Sequence, residues 1–325
     1  VALENISFSV IVPNFNRADA LPRTLASLSR QSLGSGCFEV ILVDDGSTDG
    51  SVELIEGLRG QLPFRLKLIQ QERQGPGAAR NRGARAADYD VLLFWDSDMV
   101  ADSRVIEIHA ALHARRDGIL VAGARRPWRK AYTTTFAKTM NLDRDQFDGK
   151  PRSFQEVFSC NLSIRRSEFW SLGGFDESLR AFEDTDLAYR AQQAGLTLVF
   201  ARDAIGYHNH PMTLEQACQH QRRYQRHAAL FLDKHPELEG QIQYLVDKEP
   251  LKVGRDSPGL IARKTVRRLV ASRGVLGLLA SAVRLAEARC PNPRLLAFLY
   301  WKLLASYQLI GYREGLKESG QGCGS

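Results

Sequence analysis

Three short apolar runs near the start of the chain, SVIVPNFN, VILVDDGSTD and VLLFWDSD, each break off into a cluster of Asn, Asp or Ser. That repeated plan constrains the fold more than any other feature. Each run is short and rich in Val, Ile, Leu and Phe, as expected of strands covered on both faces. Between them lie helical spacings: Leu21, Leu25 and Leu28 behind an expected cap at Asp19, then Val52, Ile55 and Leu58 after the Asp/Gly/Ser turn. RLKLIQQ predicts another strand, ARNRGARAA a helix, and residues 103–116 a further helix. Such alternation, in units of about 30 residues, predicts an α/β fold with a mostly parallel, Rossmann-like central sheet flanked by helices. The polar clusters then share the edge beyond the carboxyl ends of the strands, where these sheets bind ligands.

Beyond Leu214 the pattern is helical throughout, with a linker around Gly254 to Gly259, a basic helix from Leu260 to Arg289 and a last helix after Pro291 and Pro293. We therefore expect one domain over residues 1–232 and a helical C-terminal extension over residues 233–325. The net charge of +7 resides in the tail: residues 214–325 carry 18 basic against 10 acidic side chains, the remainder 26 against 27. Such a tail suits an anionic lipid surface. Nucleic acid is not an expected partner, since no zinc-finger spacing or RNP motif is present. The run Leu295 to Tyr312 falls short of the ~20 residues a membrane span requires, and Lys302 near its middle would cost ~2.5–3.5 kcal/mol in a bilayer. The helix therefore reads as interfacial or as a cover on the main domain. In the interfacial case Arg263, Lys264, Arg267, Arg268 and Arg273 would attract lipid headgroups. The five cysteines are scattered without a CxxC pair, against a disulfide framework or structural zinc. With no signal-peptide pattern at Phe8 to Val12, a reducing, cytoplasmic setting is expected.

Several residues carry candidate chemistry. Asp96 and Asp98 would face the same way in an extended chain, and two such anions invite a hard divalent cation with phosphate oxygens on its far side. A solvated turn closing a strand is the plainer alternative. GPGAARNRG has a GxG, but Arg80 stands where a dinucleotide fingerprint needs its third glycine, which argues against a dehydrogenase. Arg80 near the sheet edge suits a nucleotide, with a surface ion pair as the alternative. His109 and His113 have metal-ligand spacing, yet HAALH lacks a metalloprotease glutamate and no third ligand is near, so an exposed face is expected. Glu183, Asp184 and Asp186 open a helix, where the positive end would lower a carboxylate's pKa and keep it ionised as a base. His208 and His210 alternate, so at most one faces a metal held by Asp98.

Taken in order, SVIVPNFNR, VILVDDGSTDGS, GPGAARNRGARAA, FWDSDMV, CNLSIRRSEFWSLGGFDE and EDTDLAYRAQQAG resemble the inverting family-2 glycosyltransferases with the GT-A fold, over roughly residues 7–232. The resemblance implies a nucleotide-binding half of about residues 1–125 and an acceptor half of about 126–232. It implies that Pro13, Asn14, Asp44, Asp45 and Arg80 contact the nucleotide, with Asp96 on the ribose or reaching a metal through water. Asp98 and Asp96, with His208 or His210, would hold Mn2+ or Mg2+ on the sugar diphosphate, and Asp184 would be the catalytic base. Glu183, Asn161 and Trp128 are acceptor candidates, as are Trp170 and the 125–130 loop. The implied activity is metal-dependent transfer of one hexosyl group, with inversion, from a nucleotide sugar to a glycan or lipid-linked saccharide. UDP is favoured over dTDP and GDP, in cell-surface polysaccharide synthesis at the inner face of the plasma membrane. QHQRRYQRH echoes the QxxRW of polymer synthases only loosely, so single transfer is expected. A non-catalytic scaffold binding nucleotide sugar or glycan on the same fold is the alternative.

Overall fold

The protein is described by a computed structural model covering residues 6–128, 134–140, 153–209, 212–252, 254–289 and 292–319. It divides into two compact units, residues 1–129 with 143–210, and residues 130–142 with 211–325.

In the first unit the expected alternation appears: β1 Phe8–Asn14, α1 Leu21–Leu28, β2 Phe38–Asp44, α2 Ser51–Leu58, β3 Arg65–Gln70, α3 Pro76–Arg85 and β4 Val91–Trp95. Then come β5 Met99–Ala101, α4 Val105–His113, β6 Ile119–Pro127, β7 Asn161–Arg165, α6 Arg166–Ser171, α7 Glu183–Gln193 and β8 Thr197–His208. The short α5, Thr135–Thr139, lies in the second unit. The eight strands form one sheet in the order β3-β2-β1-β4-β7-β6-β8-β5. Pairing is parallel across β3, β2, β1 and β4 and between β6 and β8, but β7 runs antiparallel to both neighbours and β5 antiparallel to β8. The sheet is thus more mixed than expected.

Alternate residues of β1 and β2 feed two cores, Val10, Val12, Val40 and Leu42 on one face, Ile11, Ile41 and Val43 on the other. Gly83 explains how α3 lies so close: a Cβ there would sit 2.5 Å from Ile11 Cγ2. The tight helix and strand contact is therefore supplied one turn later than a dinucleotide fingerprint would place it. Asp19 does not cap α1; Ala20 occupies that position without a side-chain bond. Strand β8 continues through Gly206 and Tyr207 to His208.

His109 and His113 depart from expectation, for both are buried against β7 rather than exposed. Asn161 Nδ2 donates to the carbonyls of Ala124 and Ala204, leaving its Oδ1 to accept from His109 Nε2 at 3.0 Å. His109 Nδ1 then accepts from Ser163 Oγ, 2.7 Å away, and that hydroxyl accepts from His113 Nε2 at 2.8 Å. This chain needs His109 neutral, its Nδ1 being the acceptor, and His113 protonated at Nε2. Burial accordingly lowers the His109 pKa to about 4 and, with repulsion from His109 and Arg165, that of His113 to about 3. Gly123 makes room for the network, since a Cβ there would lie 2.2 Å from Asn161 Nδ2.

The second unit holds α5, α8 Leu214–Lys234, α9 Gln243–Val246, α10 Pro258–Val270, α11 Arg273–Arg289 and α12 Pro293–Glu318. The two units meet in sequence at residue 210, and within the second unit α8 spends its buried face on α12. Gly311 and Gly315 let the two backbones approach: added Cβ atoms would lie 1.9 Å from the Arg222 carbonyl oxygen and 2.1 Å from that of Arg226. Ion pairs of Arg222 with Glu314 and Arg226 with Glu318 flank that seam. The basic helix expected over residues 260–289 is broken into α10 and α11 with a bend of 76°. Ser272 and Gly274, both poor helix formers, lie at the break. Among the described residues no single helix is long and apolar enough to cross a membrane, although the bent pair α10 and α11 passes that test together.

Candidate active site

The turn after β4 determines where its two aspartates point. Residues 96–98 are not extended: Met99 N donates to the Asp96 carbonyl at 3.1 Å, so the expected alternation does not apply and the two side chains diverge. The turn is braced by Thr24 Oγ1 on the Ser97 carbonyl at 2.8 Å, Trp95 Nε1 on the Met99 carbonyl at 3.1 Å, and Asn209 N on the Asp98 carbonyl at 2.8 Å.

Asp96 faces Arg80. The guanidinium, almost wholly buried, spans two carboxylates: Nη2 lies 2.7 Å from Asp96 Oδ1 and Nη1 2.9 Å from Glu183 Oε1. Burial alone would lower its pKa, but Asp96, Glu183 and Asp184 outweigh it and the pKa is raised. Asp96, Arg80, Glu183 and Asp184 thus form one continuous row. The ion pair weighed as the alternative for Arg80 is present, but in the interior rather than on the surface.

Asp184 sits in the first turn of α7. Its Oδ1 accepts from Thr185 N at 2.8 Å and its Oδ2 from Ser159 N at 3.3 Å. The residue before this pair, Phe182, is buried with φ 69°, a left-handed conformation that a bulky side chain adopts only when its surroundings impose it. Burial raises the Asp184 pKa, outweighing Arg80 and the Thr185 and Ser159 amides that lower it, so the shift is opposite to expectation. Glu183 is likewise pushed up, to about 7, by burial and by Asp184 beside it. Part of the Asp184 surface remains accessible, while Glu183 is buried against Arg80.

Asp98 faces the other way. Antiparallel pairing of β5 with β8 sets Met99 opposite His208, which brings His208 Nε2 to 3.4 Å from Asp98 Oδ1. Arg17 Nε lies 3.4 Å from Asp98 Oδ2. His210 lies outside the described residues. Asp98 and His208 offer a hard carboxylate and an imidazole, a donor pair that fits Mn2+ and, less well, Mg2+. Among the described residues no group of three His, Cys, Asp or Glu converges. Asp96, committed to Arg80, stands apart from that pair.

The residues expected to touch a nucleotide lie at the ends of β1 and β2, where Pro13 pairs with Val43 and Asn14 with Asp44. Asp44 is largely used internally, accepting from Asn14 Nδ2 at 2.8 Å and from Ser47 N and Oγ at 2.9 and 2.5 Å. Asp45 anchors the loop before α3, accepting from Gln71 Nε2, Gln74 N and Gly75 N within 2.7 to 2.8 Å. Asn14 Oδ1 is a buried acceptor with no donor on it among the described residues. Beside them the Arg73 guanidinium covers the Phe15 ring at 3.9 Å. Of the acceptor candidates, Trp128 donates its backbone N–H to the His208 carbonyl at 3.0 Å and packs edge-on against Tyr207. Asn161 does not line the site; 1% exposed, it belongs to the histidine network. Trp170 packs on Phe169 and beneath Arg85, the last residue of α3. Arg17, Ser159 and Asn81, which grips the turn at Phe175 through its carbonyl and N–H, were not foreseen as site residues. Arg17 at least stood in the first motif.

The sequence matches the description "Glycosyl transferase family 2" over residues 9–173 and "Glycosyl transferase family group 2" over residues 97–310. It is 28% identical over 258 residues to the uncharacterized glycosyltransferase YfnE of Bacillus subtilis (strain 168), covering 62% of this chain and 65% of that protein. It is 28% identical over 233 residues to the validoxylamine A glucosyltransferase of Streptomyces hygroscopicus subsp. jinggangensis (61% and 54%), so the chain spans about half to two thirds of the length of these relatives. With the pre-mycofactocin glycosyltransferase of Mycobacterium tuberculosis the identity is 27% over 335 residues, 94% of this chain and 67% of the other. The mannosyltransferase PcManGT of Pyrobaculum calidifontis, solved with GDP-Man and Mn2+, superposes with a TM-score of 0.62 at 18% identity over 93% of this chain and 87% of its own. A crystal structure of S. aureus TarS with UDP gives 0.50 at 20% identity, over 97% and 92%. Between them the two matched stretches run through every motif from the edge of β1 to Asp184 and His208, and the chain belongs to glycosyl transferase family 2, built on the GT-A fold.

Proposed function

We propose that this protein transfers one hexosyl group, with inversion, from a nucleoside diphosphate sugar to a glycan or lipid-linked saccharide. The observation that carries the reading is Arg80, whose one guanidinium grips Asp96 toward the donor side and Glu183 beside the base. Asp184 takes the acceptor hydroxyl's proton while that oxygen attacks the anomeric carbon. The carbon to diphosphate bond breaks on the opposite side, and its electron pair leaves with the nucleoside diphosphate. One displacement inverts the centre, so an α-linked donor gives a β-linked product. Burial makes the Asp184 carboxylate a stronger base than an exposed aspartate, and Arg80 nearby favours its ionised form. Asp98 and His208 would hold a divalent ion whose contribution is to neutralise charge on the departing diphosphate. Asn14 and its neighbours on β1 and β2 receive the nucleoside, with UDP the favoured one. GDP-Man and Mn2+ in PcManGT, and UDP in TarS, are consistent with such a donor.

A peripheral place on the cytoplasmic side of an anionic membrane suits a lipid-linked acceptor, in assembly of a cell-surface polysaccharide. Supporting it, Leu269, Leu278, Leu285, Phe298 and Trp301 are exposed along α10, α11 and α12, Leu278 at 73%. Of the basic residues expected to meet lipid, Lys264 is instead buried on Asp256 and Arg267 pairs with Asp247. Arg263, Arg268 and Arg273 are the remaining candidates. The donor is tested by thermal shift with UDP, dTDP and GDP and their sugars, with and without MnCl2. A rise confined to one nucleotide and enlarged by manganese supports the reading; no rise with any of them overturns it.

A further inference from the structure

The geometry points to Arg17 as a cationic gate on the metal-binding carboxylate: it holds Asp98 when no donor is bound and passes to the donor's diphosphate as a divalent ion takes its place. The inference rests on the proposed function and concerns the order in which that site fills. Asp98 has one oxygen toward His208 and the other toward Arg17, each at 3.4 Å, and its side chain is only 9% exposed. A divalent cation seeking Oδ2 must therefore displace a like charge. Arg17 can yield, because its side chain is 35% exposed while its backbone is pinned on both sides. Before it, Asn16 is held left-handed at φ 51° by Ser47 Oγ on its N–H and by Thr48 N–H on its Oδ1. After it, Ala18 N–H donates to Asp49 Oδ2 at 2.9 Å. The loop is fixed and the guanidinium is the movable part.

A diphosphate supplies what the guanidinium loses on leaving Asp98. Its oxygens accept a planar two-pronged donor better than a carboxylate almost wholly enclosed by protein, and several negative charges replace one. Nucleotide and metal then bind cooperatively: the nucleotide draws Arg17 away and frees Oδ2, and by reciprocity the metal, once it has displaced Arg17, favours the nucleotide. Manganese without nucleotide meets an occupied carboxylate and binds poorly. Arg17 is on this account a positioning residue for the cofactor, set apart from the group that takes the proton.

The experiment measures Mn2+ binding directly, from the electron paramagnetic resonance signal of free Mn2+, with and without UDP, in the full chain and in Arg17→Ala and Arg17→Lys. In the wild type, UDP should tighten manganese binding about tenfold, within the usual range of coupling between sites. Arg17→Ala should bind manganese alone more tightly than the wild type and lose most of the UDP effect. Arg17→Lys, which keeps the charge, should bind manganese alone as weakly as the wild type. Arg17→Gln replaces the alanine variant should that one fail to fold. The inference is overturned if the uncharged variants bind manganese alone no more tightly than the wild type, or keep the full UDP effect. A wild type that binds no manganese even with UDP, GDP or dTDP present would instead remove the proposed function.

Discussion

His113→Phe should make the protein less sensitive to acid, by an amount that follows from the buried histidine network. In the folded state the His113 pKa is lowered to about 3 and that of His109 to about 4, both below the ordinary value of 6.5. A depressed folded pKa contributes stability that is present above the unfolded pKa and lost as pH falls toward the folded one. Below pH 6.5 the unfolded chain takes up a proton that the folded chain refuses, and each histidine costs about 1.4 kcal/mol of stability per pH unit. Between pH 6.5 and pH 5 that is roughly 2 kcal/mol per ring, a large share of the ~5–15 kcal/mol of a typical domain. Phenylalanine can fill the site beside Phe8, whose ring already meets His113 edge-on. The assay is urea unfolding at pH 7, 6.5 and 5 at constant ionic strength, followed by tryptophan fluorescence. Glu183, with its raised pKa, acts in the opposite sense, gaining stability as pH falls through about 7, but equally in both proteins, so it cancels from the difference. The wild type should lose about 2 kcal/mol more than the variant over that interval. Parallel losses would refute the neutral, buried network.

Three other outcomes follow from named contacts. Arg80→Met strands Asp96 and Glu183 together and should destabilise the protein by ~3–5 kcal/mol in urea unfolding at pH 8, less at pH 5, where Glu183 takes up its proton. Gly311→Ala drives a Cβ against the Arg222 carbonyl and should cost ~1–3 kcal/mol of stability, whereas Gly277→Ala, with nothing within 4 Å, should cost none. Leu278→Ser with Phe298→Ser should weaken binding to vesicles containing phosphatidylglycerol more than tenfold in a sedimentation assay, each side chain giving up ~1.5–3 kcal/mol of apolar burial. Unchanged sedimentation would exclude those helices as the membrane face.

What could be read in the sequence was local. Val10 to Val12, Val40 to Val43 and Val91 to Trp95 announce buried strands because a run covered on both faces needs no alternation, and the turn after each is written in Asn, Asp and Gly. Helix α7 and its stop at Gly195, φ 86°, were equally plain. What could not be read depended on distant partners. His109 and His113 look like a polar face until β7 brings Asn161 and Ser163 against them. Asp96 and Asp98 look coplanar until Thr24 and Asn209 hold the turn that separates them. The direction of the Asp184 shift also depended on packing: a helix end is visible in sequence, the burial that outweighs it is not. The place of α8 followed from Gly311 and Gly315, some 90 residues further on, whose closeness to it only the folded chain reveals.

The account depends on Asp184 acting as the base of a sugar transfer, and donor turnover tests it most directly. Release of UDP from a UDP-hexose with MnCl2 would be followed in the wild type and in Asp184→Asn, with UDP affinity measured on both. The account predicts turnover lowered by ~10²–10⁴ with affinity retained. Equal turnover in the two proteins would contradict it.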